Sequence, residues 1–279
     1  MESELIKSDN GSYFYYKCLN PLFKKGNIIF IHGFATTSKY HDIFIKHIID
    51  EYDYIALQLP GAGYEQWNFK KRPTMEDMYS YCIKLIESLS IEKFILLGHS
   101  MGGGLAVRLA NYFKDRTICL ICSTPMNSRI SFLKATNYLL FNPKNFKKTL
   151  KLNNILYNDF VKTMNSCEKT VEKFIKYELE YQLKHRKFFI ELKKSMFSLK
   201  NRKEQRINEQ QLSTPTLVIA GKYDKIIPAK SLFKAFSTQK KLHKDIITIK
   251  LMDNSAHVPF QEQEKEYAKE IRNFLSLFF

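Results

Sequence analysis

Phe94-Ile95-Leu96-Leu97-Gly98-His99-Ser100-Met101-Gly102-Gly103 is the stretch that decides the fold. Its first four residues read as a buried strand, and Gly103-Gly104-Leu105-Ala106-Val107-Arg108-Leu109-Ala110 continues as a helix. A Gly-x-Ser-x-Gly set between the two is a nucleophile elbow, a sharp and strained turn that lifts a serine hydroxyl clear of the sheet. Small residues flank the serine because the chain doubles back there and strand and helix crowd together. Gly98 and Gly102 are the elbow glycines, and Ser100 is the candidate nucleophile. The alternative is a glycine-rich turn with an incidental serine, and the strand before and helix after argue against it.

Outward from the elbow, apolar runs alternate with helical patterns. Asn27-Ile28-Ile29-Phe30-Ile31, Tyr54-Ile55-Ala56-Leu57 and Thr117-Ile118-Cys119-Leu120-Ile121-Cys122 are continuous enough for strands buried on both faces. Helices are predicted over 40–49, over 101–113 and from a Thr74 cap to Leu89, with Asp77 at the capping-box position. A hairpin is predicted at the start, with Glu4–Lys7 and Tyr13–Lys17 joined by Asp9-Asn10-Gly11. The alternation predicts an α/β protein with a doubly wound, mostly parallel sheet. It halts at Pro125, and the segment 125–212 reads as helical, with 19 Lys+Arg against 8 Asp+Glu. It resumes with a strand at Pro215–Ala220, a helix over 228–236, a strand over 246–249 and a closing helix over 261–278. The expected organisation is a core of 1–124 and 213–279 with a basic helical cap, 125–212, inserted into it.

The bulk properties narrow the classes. A chain of 279 residues with 44% hydrophobic and 26% charged residues can bury one large core. No run of about 18 apolar residues offers a membrane span, and the polar start Met1-Glu2-Ser3-Glu4 does not resemble a signal peptide. A cytoplasmic protein is expected, with peripheral membrane contact left open. The five cysteines are odd in number and scattered, which argues against a disulfide framework. Cys119 and Cys122 fall in a strand pattern, point to opposite faces and read as core thiols. No metal-ligand cluster is present in the sequence, so neither metal nor cofactor is expected. The net charge of +16 fits an AT-rich coding bias first, because Lys, Asn, Ile, Phe and Tyr are all over-used. Anionic lipid or an acidic protein partner comes second, and nucleic acid is not expected because no binding motif accompanies the charge.

A serine hydroxyl needs a base, an orienter for that base and donors for a developing oxyanion. Elbow enzymes place these partners downstream in the order Ser, acid, His. His257 follows a strand at its carboxyl edge, where catalytic groups gather in open α/β sheets. His32, His41 and His47 lie upstream, His99 adjoins the serine, and His185 and His243 sit in Lys-rich surroundings. Asp224 ends Gly221-Lys222-Tyr223-Asp224 just past a strand and is the preferred acid over Asp253, which lies only four residues before His257. The oxyanion donors are then the backbone N–H of Met101 and that of Phe34, which follows Gly33 after the strand 28–31. His32 reads as a loop-shaping residue that bonds to backbone.

These residues carry a resemblance. Ile31-His32-Gly33-Phe34, Leu59-Pro60-Gly61-Ala62-Gly63, the elbow, Gly221–Asp224 with Pro228, and Ala256-His257 resemble the α/β-hydrolase superfamily in its own order. The likeness is to the capped serine esterase/lipase branch, monoacylglycerol-lipase-like or carboxylesterase-like. Dehalogenases and epoxide hydrolases of that fold carry Asp at the elbow, where this chain has Ser100. One departure is Tyr64-Glu65, where relatives often have a serine. The resemblance implies ester hydrolysis through an acyl-enzyme, with the insertion as a lid. The expected substrate is a small ester of short to medium acyl chain, possible lipid origin included. Proline iminopeptidases and carbon–carbon bond hydrolases share the fold and triad and are the alternatives; a non-catalytic binding module is a weaker one. The aromatics of the insertion, Phe160, Phe174, Tyr177, Tyr181 and Phe188-Phe189, read chiefly as packing, with some left to line a pocket. Its lysines read chiefly as a solvated face. The alternative is weak contact with an anionic membrane or an acyl-carrier protein.

Overall fold

The computed structural model describes residues 3–61, 67–68, 70–127, 144–204, 212–242 and 246–279. Its strands are β1 (Glu4–Ser8), β2 (Gly11–Tyr16), β3 (Gly26–Ile31), β4 (Tyr52–Gln58), β5 (Phe94–His99), β6 (Thr117–Ser123), β7 (Thr216–Gly221) and β8 (Ile247–Met252). They form one sheet in the order β1-β2-β4-β3-β5-β6-β7-β8. The hairpin strands β1 and β2 pair antiparallel with each other, and β2 pairs antiparallel with β4. Every other pairing is parallel. This is the doubly wound, mostly parallel sheet expected from the sequence.

The helices that cover the sheet are α1 (Asp42–Ile45), α2 (Met75–Ser88), α3 (Met101–Tyr112), α4 (Phe146–Leu156), α5 (Phe160–Thr163) and α6 (Glu168–Lys184). They continue with α7 (Arg186–Met196), α8 (Leu199–Glu204), α9 (Ala229–Leu242), α10 (Pro259–Glu262) and α11 (Glu264–Leu275). Strand alternation divides the core in two. Ile29, Ile31, Leu96, Leu120, Cys122 and Val218 bury against α2, α3 and α9. Ile28, Phe30, Ile95, Leu97, Cys119 and Leu217 bury on the other face, against α1 and α11. Cys119 and Cys122 are therefore free, buried and on opposite faces. Helix α2 starts where the sequence places it. Thr74 Oγ1 accepts from Asp77 N at 3.1 Å, and Asp77 Oδ2 accepts from Thr74 N at 2.9 Å, closing a capping box.

Three predicted helices differ from what forms. The segment 40–49 is a 3-10 turn over Ser38–His41 followed by the single-turn α1. The hydrogen bonds tighten to i→i−3 on both sides of α1, at Tyr40, His47 and Ile48. The buried His41 ring stacks near Phe30 and Phe260, with centroids 3.7 and 3.9 Å apart, and its Nδ1 meets Tyr54 Oη at 2.9 Å. The closing helix breaks at Gln263, whose φ/ψ of −135°/53° is not helical. There the side chains of Glu262 and Gln263 turn back to accept amide hydrogens from Ala256 and Asn254. The helix predicted over 228–236 extends to Leu242, and its buried face is Ala229, Leu232, Ala235 and Phe236.

Between β6 and β7, the described residues 144–204 contain α4 to α8 and no strand. Phe188, Phe189, Leu192 and Met196 of α7 join the cluster over α2 and α3. Tyr157, Phe160 and Ile175 join the opposite cluster, so the insertion straddles the carboxyl edge of the sheet. Glu178 of α6 lies at the insertion's junction with the core. Its carboxylate accepts from Asn153 Nδ2 of α4 and from Tyr40 Oη at 3.4 Å.

Burial pushes the Glu178 carboxyl up to about 7, against the pull of those two hydrogen bonds. The folded form therefore keeps its proton to a higher pH than the unfolded chain. This group's contribution to stability falls as pH rises from the ordinary 4.5 through about 7. Glu178→Gln is expected to match the wild type near pH 4.5 and to exceed it by about 3 kcal/mol above pH 7.5. Urea denaturation from pH 4.5 to 8 reads this, and parallel stability curves for the two proteins would contradict it.

Candidate active site

Ser100 stands alone at the turn between β5 and α3, with φ of 53° and ψ of −116°. The turn is pinned from its own backbone, since Ser100 N donates to Ser123 O at 3.0 Å while Ser100 O accepts from Gly104 N and Met126 N. A Cβ on Gly102 would lie 2.2 Å from Ile31 O, and one on Gly98 would lie 2.4 Å from Gly102 O. Strand, turn and helix meet too closely there for any side chain.

Two more loops reach the serine from the carboxyl edge. His257, past β8, places Nε2 3.0 Å from Ser100 Oγ. Its Nδ1 lies 2.8 Å from Oδ2 of Asp224, which follows β7. The other carboxylate oxygen of Asp224 accepts from Ile226 N and Ile227 N, both at 2.8 Å. Ser100, His257 and Asp224 are all buried. The histidine loop passes so close to β7 that a Cβ on Gly221 would lie 1.9 Å from Ala256 O. Asp253, the rival acid, is exposed and paired with Lys222 Nζ at 3.0 Å.

The backbone of His257 is gripped at both ends. Its N–H donates to Leu156 O of α4 at 2.8 Å. Its carbonyl accepts from His99 Nε2 at 2.9 Å and from Thr124 Oγ1 at 3.3 Å. Burial, with the neighbouring His257, pushes His99 down to about 3, so it stays neutral and donates through Nε2. One residue earlier, Ala256 N donates to Glu262 Oε2 at 2.7 Å, and Glu262 Oε1 accepts from Asn158 N of the insertion at 2.6 Å. Burial raises the Glu262 carboxyl above its ordinary range, against the pull of these amides. The sequence offered no pattern for Leu156, Asn158 or Glu262 in this place, because backbone groups make most of the contacts.

Opposite the histidine lies the turn after β3. A Cβ on Gly33 would come 3.3 Å from Ser100 Cβ, so this turn borders the serine. Burial pushes His32 down to about 4 and keeps it neutral. Its Nε2 accepts from Leu59 N at 3.2 Å, so the proton is on Nδ1, which donates to Gly33 O at 2.8 Å. In a trans peptide the N–H points opposite the carbonyl, so the Phe34 N–H is aimed away from His32. Met101 is the first residue of α3, where N–H groups have no intrahelical acceptor and the helix dipole is positive. Among the described residues, neither the Phe34 nor the Met101 amide meets an acceptor. Such a pair of free donors can hold a developing negative charge. Of the Leu59–Gly63 segment only Leu59, Pro60 and Gly61 are described, and Ala62, Gly63, Tyr64, Glu65 and His243 lie outside the described residues. No group of three or more metal-binding side chains occurs among the described residues.

The model of the Hydrolase_4 family, described as serine aminopeptidase, S33, matches residues 24–264. The chain belongs to this family. It is a hydrolase of the α/β-hydrolase superfamily. The hydrolase is 24% identical over 261 residues to a provisionally named esterase/lipase 2 of Mycoplasma pneumoniae, with 91% of each chain covered. In fold it is similar to a serine hydrolase from Cycloclasticus zankles, a bacterium that degrades polyaromatic hydrocarbons. That likeness has a TM-score of 0.81 at 16% identity and covers 100% of this chain and 99% of that one. It is also similar to a meta-cleavage product hydrolase from Pseudomonas fluorescens, with a TM-score of 0.77 at 17% identity over 98% and 97% of the two chains. No helix among the hydrolase's described residues is long and apolar enough to cross a membrane.

Proposed function

We propose that this hydrolase is a serine carboxylesterase/lipase acting on esters of short to medium acyl chain, with Ser100 as nucleophile, His257 as base and Asp224 as its orienter. The continuous relay from Asp224 Oδ2 through both nitrogens of His257 to Ser100 Oγ carries this reading. Ser100 Oγ attacks the ester carbonyl carbon as its proton passes to His257 Nε2. The resulting oxyanion is held by the N–H groups of Phe34 and Met101. The tetrahedral species collapses, the C–O bond to the alcohol breaks, and His257 returns the proton to the leaving oxygen. Water then attacks the acyl-serine with His257 as base again, which releases the acid and restores Ser100.

In this proposal the core is 1–124 and 213–279, and 125–212 is the cap that excludes water from the acyl-enzyme. The aromatic groups beside the site support an apolar acyl chain. Phe34 meets Phe189 of α7 at 5.5 Å, and Trp67 meets Phe188 at 6.0 Å. The name of the Mycoplasma relative points the same way. An aminopeptidase would have to receive a substrate ammonium. Among the described residues, the triad carboxylate Asp224 is engaged by His257 and two backbone amides, and the neighbouring Glu262 by the amides of Ala256 and Asn158.

A panel of p-nitrophenyl butyrate, p-nitrophenyl caprylate, proline p-nitroanilide and a vinylogous diketone tests the choice. Turnover of the two esters well above that of the anilide and diketone is expected. Silence on both esters, or preference for the anilide, would overturn the assignment.

A further inference from the structure

The turn that carries the Phe34 amide is held from two sides, and one of them is the insertion. From the core, His32 fixes the Gly33 carbonyl. From the insertion, Gln182 Nε2 of α6 donates to Ala35 O at 3.0 Å and Tyr181 Oη donates to Thr36 O at 3.1 Å. Two consecutive side chains of one helix thus bind two consecutive carbonyls of one turn. Between these anchors Ala35 has a φ of 55°, a left-handed conformation that a residue with a Cβ keeps only where its surroundings hold it. The ring of Phe34 is held in the same way, since Phe189 contacts it at 5.5 Å and Tyr181 contacts Phe189 at 5.7 Å. Burial pushes the Tyr181 hydroxyl far above its ordinary range, so it remains a donor at any working pH.

We propose that Gln182 and Tyr181 are positioning residues that hold the 33–37 turn so that the Phe34 N–H faces the oxyanion, and that docking of α6 on the core thereby completes the oxyanion hole. This rests on the oxyanion role given to Phe34 above. The cap is then part of the catalytic apparatus as well as a cover. Whatever lifts α6 releases the strained turn and loosens one of two donors, so turnover is fastest when α6 is docked. Loss of a single oxyanion donor costs about 10²–10³-fold in kcat. A donor that is loosened without being removed falls below that, at about 10- to 100-fold.

The test uses Gln182→Met, which keeps the length and loses the donor, together with Tyr181→Phe and the double variant. Each is measured for kcat and KM on p-nitrophenyl butyrate, for affinity toward an alkyl trifluoromethyl ketone, which adds to the serine as an oxyanion, and for Tm. The expected result is a fall in kcat of about 10- to 100-fold in the double variant, with KM changed less than about threefold. Ketone affinity should fall in parallel with kcat, while Tm drops by no more than about 2–4 °C. If the wild type hydrolyses the ester and binds the ketone but the variants do both equally well, the positioning role is wrong and the esterase reading stands. A kcat loss without a matching loss of ketone affinity also overturns it. A wild type that neither hydrolyses the ester nor binds the ketone overturns both readings together.

Discussion

Ser100→Ala is expected to abolish ester hydrolysis, lowering kcat by about 10⁶-fold while the protein stays folded. The size follows from what the hydroxyl does. Without Oγ no acyl-enzyme forms, and only binding and the two free amides remain to assist direct attack by water, which leaves a residual of about 10³–10⁴ over the uncatalysed rate. The fold should survive because the turn is held by backbone bonds to Ser123, Gly104 and Met126, none of which uses the side chain. Alanine also tolerates the φ of 53° no worse than serine does. Steady-state turnover of p-nitrophenyl butyrate measures the effect, and circular dichroism checks the fold. A variant that kept more than a few per cent of wild-type turnover would remove Ser100 from the mechanism.

Asp224→Asn is expected to cost about 10⁴-fold in kcat with little change in stability. Asp224 Oδ1 accepts two amide hydrogens, from Ile226 and Ile227, and only an oxygen can do that. An asparagine must therefore leave its oxygen there and turn its NH₂ toward His257 Nδ1. The imidazole answers by making Nδ1 the acceptor, which places its proton on Nε2, facing Ser100 Oγ at 3.0 Å. In that tautomer the histidine cannot take the serine proton. Asp253→Asn is the control. Its side chain is exposed and, among the described residues, bound only to Lys222, so activity should stay within about twofold. A loss below tenfold for Asp224→Asn, or an equal loss for Asp253→Asn, would reassign the acid.

Much of this architecture is legible in the sequence because central parallel strands are buried on both faces. Ile28–Ile31, Phe94–Leu97 and Leu217–Ala220 are uninterrupted apolar runs for that reason. Ser100, Asp224 and His257 stand out because each directly follows such a run or its connecting loop, and the sheet gathers those carboxyl ends on one edge. The pattern over 40–49 carries the apolar spacing of Phe44, Ile45, Ile48 and Ile49, all buried, but gives no sign that the hydrogen bonds at His47 and Ile48 tighten to i→i−3. The closing helix breaks at Gln263 because side chains there serve the histidine loop. The grip on the His257 amide from Leu156, that of Glu262 on Asn158, and those on the Phe34 turn from Tyr181 and Gln182 leave no spacing to read. They are bonds to backbone groups between residues far apart in the chain, and almost any residue type can offer a carbonyl or an amide.

The proposed hydrolysis depends above all on Ser100 being a nucleophile activated by His257. Incubation of the wild-type protein with a fluorophosphonate, followed by intact mass measurement and peptide mapping, tests it most directly. One phosphonyl group per chain is expected, located on Ser100 and absent from Ser100→Ala and, over the same interval, from His257→Ala. Labelling at another residue, or no labelling of a protein that still hydrolyses esters, would contradict it.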